Sequence, residues 1–149
     1  MRRSFRDIPI NDISLRKFEK PSGDNVDELL RKFCISIGLL QPGDSRDVIM
    51  DLLKLFIKAA RVKRYLPPEE IYKYALNFGK QGVSQSNVRR HLLRLKEINF
   101  IEKTKEGYRL REWLSLKDLF NDFIKFKAMP TIERISSYAS LIDQLFEKP

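Results

Sequence analysis

The chain has 149 residues, enough for one domain of ordinary size with terminal additions and too few for a second full core. Its 42% hydrophobic and 33% charged residues place it among globular chains, and one cysteine with one histidine exclude an intrachain disulfide and any cluster with zinc-site spacing. The +9 net charge is uneven: residues 1–66 carry 14 Lys/Arg against 9 Asp/Glu, 67–112 carry 10 against 6, and 113–149 carry 5 against 5. That distribution points to a polyanion met by the first two-thirds and a different task for the tail.

Asp51, Lys54 and Lys58 interrupt the longest apolar run, so nothing approaches the roughly 18 to 20 apolar residues of a membrane span. The N-terminus shows no apolar signal region either, and a cytoplasmic protein is expected.

Residues 1–23 mix basic and apolar residues without helical spacing and are broken by Pro9 and Pro21, which predicts a flexible basic arm. From Asp24 the apolar positions Val26, Leu29, Leu30, Phe33, Cys34 and Ile37 recur at three and four, a first helix with Gly38 at its exit. Cys34 on that face is expected to be inert packing. After "LLQPGDS", Asp44 or Ser45 can cap a second helix reaching about Lys63, apolar around much of its circumference and suited to the centre of the core. Pro67 and Pro68 followed by Glu69 and Glu70 open a short third helix, which Gly79 is placed to end.

Ser84 can cap a fourth helix, on which Val88, Leu92, Leu95 and Ile98 form one apolar stripe. Arg89, Arg90 and Arg94 lie off that stripe, and Leu93, also off it, is expected to pack against the hairpin or the preceding helix. "FIEKTKEGYRLRE" alternates as two short strands about a tight turn, with Gly107 able to supply a positive φ. Ser115 with Asp118 three residues on opens a fifth helix, Pro130 is expected to break it, and Ile132 to Phe146 mark a sixth with two adjacent apolar stripes.

"GVSQSNVRRHLLRLKEINFIEKTKEGYRL" (82–110) has a small polar cap, a valine, two leucines three apart, a break, an aliphatic residue and a charged tip closing on an aromatic strand. In this it resembles the winged helix-turn-helix superfamily of DNA-binding domains, over about residues 45–111. The family's break is usually glycine. Asn99 stands there in this chain and tolerates the left-handed conformation better than most residues. The resemblance implies a mainly α fold: a winged helix-turn-helix core of three helices and a short β-hairpin wing, with an extra N-terminal helix and two C-terminal helices. It divides the chain into the arm at 1–23, a domain at 24–112 and a helical extension at 113–149, and it implies a homodimer through the added terminal helices.

A helix fits the major groove of B-DNA, and a recognition helix at 84–98 would bring Gln85, Ser86, Asn87, Arg89 and Arg90 toward base edges, with Arg94 nearer the backbone and Ser84 at the cap. Arginine pairs in two-pronged fashion with guanine, and Asn or Gln with adenine. Lys103, Lys105 and Arg109 on the wing would meet phosphates. The expected partner is therefore double-stranded DNA, and the expected role is transcriptional regulation. The alternatives are a winged-helix module that binds protein within a replication or transcription complex, and nonspecific nucleic-acid binding, RNA included. No catalytic set, phosphate loop or metal cluster appears, so neither an enzyme nor a cofactor is expected.

Overall fold

The computed structural model describes residues 7–43, 48–77 and 84–148. In chain order these form α1 (Val26–Ser36), α2 (Val48–Arg61), α3 (Pro68–Leu76), α4 (Gln85–Glu97), β1 (Ile101–Thr104), β2 (Gly107–Leu110), a 3-10 turn (Arg111–Trp113), α5 (Leu116–Phe123), a π turn (Ile124–Ala128) and α6 (Met129–Glu147). The architecture is mainly helical with a two-stranded antiparallel hairpin, the expected winged-helix layout. The expected caps at Asp44 or Ser45, the stop at Gly79 and the basic residues Arg2, Arg3 and Arg6 lie outside the described residues.

Local chemistry sets the helix starts. The side chains of Asn25, Ser84 and Ser115 accept from the backbone N–H groups of Glu28, Asn87 and Asp118 at 3.1, 3.2 and 3.1 Å, each satisfying a first-turn donor that the helix itself leaves unpaired. Pro68 occupies the first turn of α3, where its missing N–H costs nothing. Arg64 then clamps that turn, donating to both carboxylate oxygens of Glu70 at 2.9 and 2.6 Å.

The core is centred on α2, whose Ile49, Leu52, Leu53 and Phe56 are almost wholly buried. Val88 and Leu95 of α4, Ile71 of α3, Phe100, Ile101 and Leu110 around the hairpin, and Leu119 of α5 close around it. The first helix belongs to this core: Leu30, Cys34 and Ile35 are buried, and the Phe33 ring lies 6.3 Å from Phe100 and 6.1 Å from Phe120. Before it, residues 8–24 contain no helix or strand. Even so, Ile13 packs against the core, the Arg16 N–H donates to the Ser36 carbonyl at 2.8 Å and Lys32 donates to Glu19, so this largely exposed stretch is held to the body at points between residues 11 and 19.

In the hairpin Ile101 pairs with Leu110, Glu102 with Arg109, Lys103 with Tyr108 and Thr104 with Gly107. Residues alternate sides. Buried Ile101 and Leu110 therefore share the inner face with Lys103 and Tyr108, and Glu102 shares the outer face with Arg109. The periodicity of the sequence did not disclose a third partner: Leu66, just before α3, exchanges backbone hydrogen bonds with Tyr108 at 2.9 and 2.8 Å and ties the wing to the helical body. Asn99, at the break after α4, takes φ +61, the left-handed conformation that asparagine tolerates better than most residues.

Two expectations are corrected. Pro130 does not break the C-terminal helix, because α5, the π turn and α6 run on continuously. Proline has no N–H to donate and its ring clashes with the carbonyl four residues back, here that of Phe126. The widened turn just before it, in which the Met129 N–H donates to the Ile124 carbonyl, removes the need for that donor and opens the space. The result is one rod of 8, 5 and 19 residues, about 48 Å long at the usual rise. Leu93 is also not packed. It is 54% exposed, because Val88, Leu92 and Leu95 fill the core side and Leu93 lies on the far side of α4.

Candidate nucleic-acid interface

α4 presents two faces with opposite chemistry. Val88, Leu92 and Leu95 are buried, while Gln85, Ser86, Arg89, Arg90 and Lys96 are exposed. The first turn contains no acidic residue. Carboxylates stabilise a helix N-terminus through its dipole, so this helix forgoes that stabilisation and leaves its positive end, with Arg89 and Arg90 one turn further on, open to an external anion.

The ten candidate residues separate by how they are held. Ser84 is spent as the cap. Asn87 is half-buried, and its Oδ1 accepts from the Arg90 guanidinium at 3.4 Å, which orients Arg90 along the helix surface. Gln85, Ser86 and Arg89 project outward, and among the described residues no hydrogen bond or ion pair holds the side chains of Arg89 or Lys105. Lys103 extends over the Tyr108 ring at 5.7 Å, an aromatic support that leaves its ammonium group at the surface.

Arg94 and Arg109 are engaged within the chain. The Arg94 guanidinium donates to the Gly38 carbonyl at 2.9 Å, joining α4 to the segment that follows α1. Arg109 donates to Glu102 at 2.9 Å and to the Tyr65 hydroxyl at 3.3 Å, and it lies over the Trp113 ring at 4.9 Å and the Tyr65 ring at 5.5 Å. The two rings meet edge to face at 4.9 Å. Glu102 also accepts from the Glu112 N–H at 2.9 Å, where Glu112 and Trp113 take φ +53 and +60. Two consecutive left-handed residues without glycine are strained; the cation, carboxylate and rings hold them there. This cluster fastens the outer face of the wing to the start of the C-terminal rod. The cross-strand pairing of Glu102 with Arg109 was available from the hairpin alternation alone. The contribution of Tyr65 was not.

His91 lies half-buried on the flank of α4 between Arg90 and Arg94. Burial, then the charges of Arg94 and Arg90, push its pKa down to about 4. It is neutral at neutral pH, so the positive field of this face comes from arginines and the helix dipole. Leu93 is the residue that sequence reasoning placed elsewhere: it stands exposed among Arg89, Arg90 and Lys96, the apolar member of an otherwise polar surface. Among the described residues no group of His, Cys, Asp and Glu could hold a metal ion, and no helix is long and apolar enough to cross a membrane.

Comparison of the chain with protein-family models, with known proteins and with solved structures finds no match.

Proposed function

We propose that this protein is a cytoplasmic DNA-binding transcriptional regulator that lays α4 in the major groove of double-stranded DNA. The observation that carries the reading is the outward face of α4, where Gln85, Ser86, Arg89 and Arg90 lie on or just beyond a first turn that holds no carboxylate of its own. Arg90, steadied by Asn87, is suited to a guanine edge, and Gln85 to an adenine edge. Leu93 offers the apolar contact that a thymine methyl group takes. Lys103 and Lys105 would hold phosphates and supply affinity without sequence information. In this reading Arg94 and Arg109 act as scaffold, fixing the helix and the wing in place.

Base reading and phosphate holding respond differently to mutation. On a preferred site selected from random duplex, Arg90→Ala is expected to cost about 1 to 3 kcal/mol and to narrow the gap to random DNA, whereas Lys105→Ala weakens both alike. Fluorescence anisotropy on the two duplexes measures this. Equal losses for Arg90→Ala on selected and random DNA would contradict base reading. The exposure of Leu93 also favours a second reading, docking of an acidic protein surface on the same face. That reading predicts no duplex affinity at low salt.

A further inference from the structure

On α6, none of the 19 residues is buried, and from Ile132 onward every described side chain is exposed. An isolated helix of this length is marginal in water, where helices draw most of their stability from packing an apolar face. Yet Ile132, Ile135, Tyr138, Ile142, Leu145 and Phe146, on one side, are 51 to 86% exposed. At ordinary side-chain sizes this is roughly 800 Å² of apolar surface, about what one partner contributes to a standard interface.

The sequence of the helix selects the occupant. Ile135 and Ile142 stand seven apart, as do Tyr138 and Leu145, which is the repeat of a helix seam. Ile132 and Phe146 stand fourteen apart with Ala139 midway, widening the seam. The opposite face carries Ser136, Ser137, Ser140 and Gln144 and no cations. It therefore lacks the Lys/Arg that anchor an amphipathic helix to an anionic lipid surface or to an acidic groove. Residues 129–149 hold two cations against three carboxylates, within a chain that is +9. The element is nearly neutral and, unlike α1, α3 and α5, buries none of its residues, so two copies can approach on its apolar face without repulsion.

We propose that α6 is the docking surface for a second copy of this chain and that the two helices pair antiparallel about Ala139. A two-fold axis there lets the smallest side chain of the seam take the point of closest approach. It sets Ile132 opposite Phe146 of the second copy and Ile135 nearly level with Ile142, with Ala139 meeting Ala139 at the axis. Large apolar side chains thus flank the small central contact on both sides.

Antiparallel pairing also answers the charge. A parallel pair would bring two strongly basic bodies together at the Met129 end. The antiparallel pair sets them at opposite ends of a helix about 28 Å long, well beyond the roughly 8 to 10 Å over which salt leaves charge unscreened. The root of α6 is braced to receive the incoming end: Asn11 donates to the Thr131 hydroxyl at 3.1 Å, and its neighbour Ile10 is 98% exposed. Phe146 of the second copy would arrive beside that residue.

The inference does not depend on what α4 binds, and its test needs no DNA. Sedimentation equilibrium of the full chain at tens of micromolar is expected to show a dimer. Ile135→Glu with Ile142→Glu should raise the dissociation constant at least about 100-fold, since burying two unpaired carboxylates is costly. Unchanged emission from Trp113, the sole tryptophan, would show the body intact. For the orientation, Ile132→Cys and Phe146→Cys chains are oxidised separately and as a mixture, with Cys34 silent because it is fully buried. Disulfide-linked dimers are expected from the mixture and not from either chain alone. A monomeric wild type, or a dimer unmoved by the double glutamate change, would overturn the docking surface. Ile132→Cys chains that cross-link to themselves would overturn the antiparallel pairing.

Discussion

Replacing Gly107 with alanine is expected to cost about 2 to 6 kcal/mol, a large fraction of the roughly 5 to 15 kcal/mol that holds an ordinary domain folded. Gly107 takes φ +133, a region that side chains disfavour by about 1 to 3 kcal/mol. A Cβ there would stand 2.7 Å from the Leu66 carbonyl oxygen, 2.8 Å from its carbon and 3.2 Å from the Pro67 nitrogen. All three are backbone atoms, so no rotamer change relieves the overlap. Leu66 is held by its paired bonds to Tyr108, and Pro67 is fixed as the entry to α3. Something must shift, and forcing the wing off the body adds about 1 to 3 kcal/mol on the scale of overpacked interiors. Urea unfolding measures the change as a lowered midpoint at constant slope. A loss below about 1 kcal/mol would mean that the Leu66 bridge does not constrain the wing.

Reversing Arg89 and Arg90 to glutamate together is the largest change expected in binding. Losing each contact costs about 1 to 3 kcal/mol, and the new carboxylates add repulsion, so affinity for any duplex should fall about 1,000-fold or more. Both side chains are exposed and off the buried face of α4, and both lie beyond the first turn, where the dipole has little hold. The urea midpoint should therefore hold while binding disappears. A double variant that keeps its duplex affinity would remove α4 from the interface.

How legible these features were follows from the range over which each is determined. The stripe of Val88, Leu92 and Leu95, the caps at Ser84 and Ser115 and the turn at Gly107 are set by neighbours within four residues, and reading the chain locally finds them. The reason for Gly107 is not local: the Leu66 bridge is one residue long, has no alternation to announce it and lies 41 positions away. Pro130 obeys the rule that proline removes a helix donor. What the rule omits is that a π turn can absorb the loss, so the expected break is a continuous rod. Charge was legible at Arg94 and Arg109, while their partners Gly38 and Tyr65, 56 and 44 positions distant, were not. Only the Glu102 partner of Arg109 followed from strand register. Leu93 was misplaced because hydrophobicity was given more weight than its angular position, which is opposite the core.

Whether α4 and the wing meet double-stranded DNA is read out by titrating random duplex against the full chain as salt rises. On random duplex, where Arg90 has no preferred guanine and turns to the backbone, Arg89, Arg90, Lys103 and Lys105 would each neutralise one phosphate, and the logarithm of the affinity should fall linearly with the logarithm of salt at a slope of about 3 to 4 per chain. That is about 100-fold between roughly 50 and 200 mM. Undetectable duplex binding at about 50 mM salt, or an affinity indifferent to salt, would contradict that contact.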